Sequence, residues 1–266
     1  MKIQQIRNAT IRIECASKHF LIDPWFQKKG TGMSAPSPDP EKAKIPSPTT
    51  ELPFPVEQIM EGIDAMIVTH IHPDHFDPET AAMLDKNIPV FAANEETKSQ
   101  IEGFGYTSVM VLKDEGTDFD GVVLIRTEAM HGESPDQAAG PVCGIILQAA
   151  GEPVLYVAGD TVYYKGVERA LEQYRPDVVV LNACGAELMG LGRLIMGAED
   201  VLKVCEAAPD ATIIASHMDA VNHATVSRAG LREFLRKHGK DGRVLIPEDG
   251  ECLEFLGSNR GMTKSF

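Results

Sequence analysis

Val68-Thr69-His70-Ile71-His72-Pro73-Asp74-His75 sets three imidazoles and a carboxylate within six residues, directly after the apolar run Ala65-Met66-Ile67-Val68. The run reads as a short buried strand, so ligand-type side chains leave the end of a rigid element. Just downstream, Asp77 caps a predicted helix whose first position is Pro78, with Glu79 and Thr80 in the first turn before Ala81, Ala82 and Leu84. The cluster therefore occupies a strand-to-helix loop. In an extended loop His70 and His72 project to the same side and reach one cation, while Pro73 turns Asp74 and His75 towards a second position. A lone histidine is most often an ordinary surface or core residue. Four potential ligands in six positions at a strand end point instead to a metal centre.

His-x-His-x-Asp-His after a strand resembles the signature of the metallo-β-lactamase superfamily, and His70, His72, Asp74 and His75 match it position for position. The resemblance implies a later His, then an Asp after a strand, then a last His, all converging on two metals. The chain supplies His131, Asp160 and His217 in that order. It further implies an α/β fold, a four-layer αββα sandwich forming one domain over residues 1–266. His70, His72 and His131 would hold the first metal and Asp74, His75 and His217 the second, with Asp160 between them. Zinc is the first expectation for the two divalent cations, and manganese or iron suits the same nitrogen and oxygen donors.

Upstream, Ile3–Ile6, Thr10–Glu14 and Phe20–Ile22 read as a strand meander. The stretch from Arg7 to Trp25 resembles the branch of the superfamily that contains L-ascorbate-6-phosphate lactonase, in which many members carry a His where this chain has Asn8. Asp23 reads as an Asx-turn residue in preference to a support for the metal loop. Residues 28–55, with Pro36, Pro38, Pro40, Pro46, Pro48, Pro53 and Pro55, form neither a continuous helix nor a central strand. Such a long loop is expected to be a lid over the metals or a subunit contact. Trp25, Phe26, Phe54 and Lys28 are candidates for a substrate entrance.

Downstream, strands and helices alternate. Pro89–Ala92, Val109–Leu112, Val122–Ile125, Val142–Gln148, Pro153–Ala158, Val178–Leu181 and Thr212–Ser216 read as strands. Glu95–Gly103, Gly166–Tyr174, Ala198–Ala208 and a segment from Thr225 or Ser227 to His238 read as helices. His131, Asp160 and His217 each fall just beyond a strand, and the loop Glu133–Gly140 is expected to border the cleft. In Gly159-Asp160 the glycine permits close backbone approach, and the carboxylate has two oxygens with which to bridge. Asn222 and His223 lie close enough after His217 to bind substrate or assist protonation, with local hydrogen bonding at a helix start as the equal alternative. His238 reads as a helix C-cap, and His19 has no partner in the pattern.

The 266 residues carry a net charge of -14 with 43% apolar residues, a profile that disfavours nucleic acid as a partner and suits a small-molecule substrate. No run is long enough to cross a membrane, and no signal-like N-terminus is seen, so a cytoplasmic setting is expected. Five scattered cysteines without a C-x-x-C pair suggest reduced thiols. Family resemblance implies homo-oligomers. The expected chemistry is attack by a metal-bridging hydroxide on an ester, lactone or phosphodiester, including a sugar-acid phosphate, with Asp74 and His223 moving protons. Two alternatives stand beside it: a non-catalytic metal-binding protein, and a di-iron oxidoreductase, whose usual pattern has Glu where this chain has His72.

Overall fold

Two seven-stranded sheets carry the chain. The structure is a computed structural model and describes residues 1–134, 136 and 139–257. In the first sheet β1 (Lys2–Arg7), β2 (Thr10–Cys15) and β3 (Lys18–Ile22) form an antiparallel meander. The Pro-rich segment and the short α1 (Val56–Met60) follow. Next, β4 (Ala65–Val68), α2 (Pro78–Met83), β5 (Val90–Ala92), α3 (Glu95–Gly103) and β6 (Val109–Val111) extend the sheet in parallel.

The second sheet opens with antiparallel β7 (Thr117–Phe119), β8 (Val122–Glu128), β9 (Cys143–Ala149) and β10 (Leu155–Val157). Helix α4 (Lys165–Tyr174) leads to β11 (Val178–Asn182), and a small hairpin, β12 (Glu187–Leu188) with β13 (Gly192–Arg193), precedes α5 (Ala198–Ala207). β14 (Thr212–Ser216), α6 (Arg228–Lys237) and β15 (Val244–Leu245) finish this half in parallel with β11. β16 (Cys252–Glu254) then returns to pair with β1.

Strand alternation explains the layers. In β11, Val178 and Val180 point into the space between the sheets, while Val179 and Leu181 point to the outer face, where α4, α5 and α6 cover them. β4 does the same: Ala65 and Ile67 face the second sheet, and Met66 and Val68 face Ile59 of α1, Ala81 of α2 and Ile101 of α3. Strands buried on both sides need unbroken apolar runs, which is what Ala65–Val68 and Val178–Leu181 provide. The result is the expected αββα sandwich. β7, β15, β16 and the β12–β13 hairpin were not legible, because each is two or three residues long and carries no apolar alternation.

β4, β8, β10 and β14 end at one edge of the sandwich, and the loops that follow them meet there. Ligands commonly bind beyond the carboxyl ends of strands in open α/β sheets. That edge gathers the candidate metal ligands.

Candidate metal centre

His70, His72, Asp74 and His75 follow β4, His131 follows β8, Asp160 follows β10 and His217 follows β14. His70 Nε2 lies 2.9 Å from His72 Nδ1, which lies 3.2 Å from His131 Nε2. In a second group, His217 Nε2 is 3.2 Å from both His75 Nε2 and Asp74 Oδ2. Asp160 sits between them, with Oδ2 at 3.2 Å from His75 Nε2 and 3.4 Å from His131 Nε2, and Oδ1 at 3.9 Å from His217 Nε2. Atoms bound to one cation at about 2.0–2.2 Å stand roughly 3.0–3.5 Å from each other, so these separations suit ligands of a shared ion.

The outer nitrogens decide whether the inner ones are free to bind. His72 Nε2 faces Ala139 O at 3.0 Å, His131 Nδ1 faces Leu194 O at 3.1 Å, and His75 Nδ1 faces Asp23 Oδ2 at 2.8 Å. Each of those oxygens accepts only, so each outer nitrogen carries the proton. His70 Nδ1 is 3.1 Å from Thr69 Oγ1, whose own hydroxyl donates to Asp23 Oδ2 at 2.6 Å, so the histidine donates here too. His217 Nδ1 meets Cys184 Sγ at 3.4 Å. The outer hydrogen bonds thereby leave four inward nitrogens to face two points beside two carboxylates, where each could give a lone pair to a cation. Fixing the tautomer through the outer nitrogen is how proteins prepare histidine for a metal. The donor set fits two divalent cations.

Charge gives the same answer. Burial alone raises the Asp74 and Asp160 carboxyls, but His75 and His217 around the first, joined by His131 at the second, hold both well below the usual carboxylate range. Burial lowers His75, yet Asp160, Asp74 and Asp23 outweigh it and push the ring up to about 10. His217 is likewise lowered by burial and carried well above the ordinary value by Cys184, Asp160 and Asp74. His70 and His72 are held down by burial and by neighbouring imidazoles. The carboxylates thus demand positive charge at the centre, supplied by protons where no cation is present.

Several supporting residues were missed or misread in the sequence. Asp23, read as a turn residue, accepts from Thr69 N at 2.7 Å as well as from Thr69 Oγ1 and His75, so it anchors the metal loop. Asn182 Nδ2 donates to Asp160 Oδ1 at 2.6 Å. Asn8 Nδ2 donates to Asp74 O at 3.0 Å and lies 3.2 Å from His217 Nε2. Asn8, Asp23 and His217 have φ of 55°, 46° and 60°, a left-handed backbone that non-glycine residues adopt at a cost of order 1–3 kcal/mol and that clusters at functional sites. Gly159 has φ 68°, and a Cβ there would meet Cys143 O at 2.5 Å, so only glycine lets the chain turn into Asp160.

A cavity of about 50 Å³ opens beside Asp74, walled by Trp25, Gln27, Met33, Ala35, Ser47, Pro73, Val221 and His223. Met33, Ala35 and Ser47 belong to the Pro-rich segment, which is tied down by Gly32 N donating to Ser47 O, Thr49 N to Ala220 O and Lys42 Nζ to Ala224 O. Asn222 is spent on this tether: its Nδ2 donates to Ala35 O and Lys42 O, and its Oδ1 accepts from Ala35 N and Ser47 Oγ. His223, half-buried and held below the usual imidazole range by burial, faces the cavity. Trp25 is buried, Arg7 lies 4.9 Å over its ring, and its indole N–H has no acceptor among the described residues. Of the other expected entrance residues, Phe26 and Phe54 pack into the outer core of the first sheet and Lys28 is exposed away from the cavity wall. In the loop Glu133–Gly140, Pro135, Gln137 and Ala138 lie outside the described residues. Helix α6 starts after Ser227, whose Oγ caps Gly230 N, and His238 closes it with Nδ1 donating to Phe234 O.

The chain is similar to known proteins in sequence and fold. The profile of the β-lactamase superfamily domain matches residues 18–218. The chain is 42% identical to the YddR protein of Bacillus subtilis, over 96% of this chain and all of YddR. It is 27% identical to a metal-dependent hydrolase of Methanocaldococcus jannaschii, over 79% of this chain and 91% of that one. Among solved structures, an isothiocyanate hydrolase from Delia radicum gut bacteria superposes with a TM-score of 0.91 at 37% identity, covering 97% of this chain and 100% of the other.

Proposed function

This chain belongs to the β-lactamase superfamily and is a metal-dependent hydrolase, and we propose that it holds two divalent cations and hydrolyses small, neutral isothiocyanates. His70, His72 and His131 would hold one cation and Asp74, His75 and His217 the other, with Asp160 serving both. Zinc, manganese and iron all suit this donor set. Cations bound there bring the pKa of a water towards neutrality and polarise the bond under attack.

The observation that carries the substrate class is the cavity. Trp25, Met33, Ala35, Pro73 and Val221 make its wall largely apolar, and no Lys or Arg lines it among the described residues. Beyond the proposed cations, the wall offers a phosphodiester or sugar-acid phosphate no Lys or Arg to hold its charge. A neutral electrophilic carbon with a short apolar substituent suits it, and the resemblance to an isothiocyanate hydrolase supports that class. The net reaction is R–N=C=S + H2O → R–NH2 + O=C=S. Water oxygen forms a bond to the central carbon, the C–N bond breaks, and both water protons end on nitrogen.

The chain's own groups account for proton movement and orientation. His223 Nδ1 donates to Asn222 Oδ1 at 3.4 Å, which leaves Nε2 to accept a proton, and burial keeps the ring neutral at neutral pH. Asp74, between the imidazole cluster and the cavity, is the other group able to relay one. Trp25 contributes part of the buried apolar wall against which the substrate would pack. The cytoplasm is the proposed setting, consistent with five unpaired cysteines; among the described residues no helix is long and apolar enough to cross a membrane.

Metal-stripped protein reloaded with zinc or manganese, assayed on isothiocyanates, lactones and phosphodiesters with His70→Ala as control, tests the reading. Isothiocyanate turnover only in the reloaded parent supports it. Preference for a lactone or phosphodiester sinks the substrate class and leaves the hydrolase. Metal uptake without any turnover favours the non-catalytic alternative.

A further inference from the structure

Four of the five clustered histidines set their outer nitrogen against an oxygen: Thr69 Oγ1, Ala139 O, Asp23 Oδ2 and Leu194 O, all at 2.8–3.1 Å. His217 alone faces sulfur, with Cys184 Sγ 3.4 Å from its Nδ1. We propose that Cys184 is a positioning residue whose thiol leaves His217 as the labile ligand of the centre, the one whose grip on its cation is set by the outer partner. The inference rests on the two-cation reading above.

The physical reason is the chemistry of the thiol. Sulfur is a weak acceptor, so it pins a proton on Nδ1 poorly, and as a weak donor it can present S–H to Nδ1 instead. The outer nitrogen of His217 is therefore held less firmly than those of His70, His72, His75 and His131, each of which donates to an oxygen, and the ring is the less well oriented towards a cation in the Asp74–His75–His217 group.

Two further observations single out the same ring. Asn8 Nδ2 stands 3.2 Å from His217 Nε2, so an amide N–H competes for the inner lone pair. The His217 backbone is left-handed at φ 60° and held by its N–H on Asn8 O at 2.9 Å. Cys184 is fully buried, its carbonyl accepts from Thr225 N at 3.0 Å and Val226 N at 2.8 Å, and its Sγ meets His217 Nδ1.

The test is a zinc titration of the full stripped chain against a chromophoric chelator, comparing the parent with Cys184→Ser, Cys184→Ala and His217→Ala. His217→Ala identifies the step that depends on this ring. Cys184→Ser, which puts a better-accepting oxygen in the same place, is expected to tighten that step about tenfold, and Cys184→Ala to weaken it about tenfold, with the other step within twofold of the parent. Cobalt reports the same site through its absorption, which should change in both Cys184 variants. Two equivalents bound with the His217-dependent step equal in parent, Ser and Ala proteins overturn this inference alone. A single equivalent unaffected by His217→Ala overturns it together with the two-cation reading.

Discussion

Asp23→Asn isolates the way this protein prepares its histidines. Asp23 Oδ2 accepts the Thr69 hydroxyl at 2.6 Å and His75 Nδ1–H at 2.8 Å, while Oδ1 accepts Thr69 N–H at 2.7 Å. An asparagine has one acceptor and one donor where the carboxylate has two acceptors. With its oxygen on Thr69 N, the NH2 points at His75 Nδ1, and His75 relieves that donor–donor clash only by moving its proton to Nε2, the inward atom. With the amide reversed, two N–H groups meet at Thr69 instead, and a buried donor left unpaired costs about 1–3 kcal/mol. The direct loss is at the His75 group; His70 follows through Thr69, its own outer partner. Loss of an outer partner typically weakens metal binding about 10–100-fold, which is about 1.4–2.7 kcal/mol. Chelator competition on stripped and reloaded protein reads this directly. Asp114→Asn, which removes an exposed partner of Arg126, serves as the control and should leave metal binding unchanged. If Asp23→Asn holds both cations within twofold of the parent, tautomer control from Asp23 is wrong.

Other consequences follow from the same geometry. Trp25→Phe shortens a buried wall of the cavity and should raise KM with metal content unchanged; an unaltered KM would remove Trp25 from substrate binding. Asn222→Ala frees Ala35, Ser47 and Lys42 from their shared tether and should raise KM and open residues 28–55 to limited proteolysis; unchanged KM and cleavage would mean that the tether is dispensable. Without a cation, His75, raised to about 10 from 6.5, gives stability fully present below pH 6.5 and lost as pH climbs towards 10. Stripped protein should therefore lose melting temperature across that window while the reloaded protein holds it, and parallel curves would show that protons and cations do not occupy the same centre.

The histidine and aspartate cluster was legible because residues of ligand type were spaced along a loop after an apolar run, and because His131, Asp160 and His217 each stood just beyond another such run. The two-sided strands were legible for the same reason: Ala65–Val68 and Val178–Leu181 are continuous apolar segments. The supports were not. Asp23, Asn8 and Asn182 are common turn or strand-end residues, and their role exists only through partners 22 to 209 positions away, such as Asp160 for Asn182 and His217 for Asn8. Sequence spacing also carries no sign of which ring nitrogen faces outwards, so Thr69, Cys184 and the carbonyl of Leu194 were invisible. Asn222 was read as a substrate or helix-start residue, but its side chain holds the Pro-rich segment, a contact that only the folded loop creates.

The centre is built across the two sheets. His70 and His72 come from the first sheet and His131 from the second; Asp74 and His75 come from the first and His217 from the second. Neither sheet alone completes either group, so each cation would cross-link the halves of the sandwich at the edge where the apolar interior ends. That placement explains how buried carboxylates and imidazoles are tolerated there. The interior between the sheets is held by Ile13, Phe20, Ile67, Leu147, Val157 and Val180, which need no help from polar contacts, and the polar cluster is confined to the strand ends beyond them. Folding brings these side chains together, and cation binding would in turn favour the folded arrangement, because the unfolded chain has no such cluster. Left-handed backbone at Asn8, Asp23 and His217 is then sustained by a sandwich that already fixes the ends of the surrounding strands.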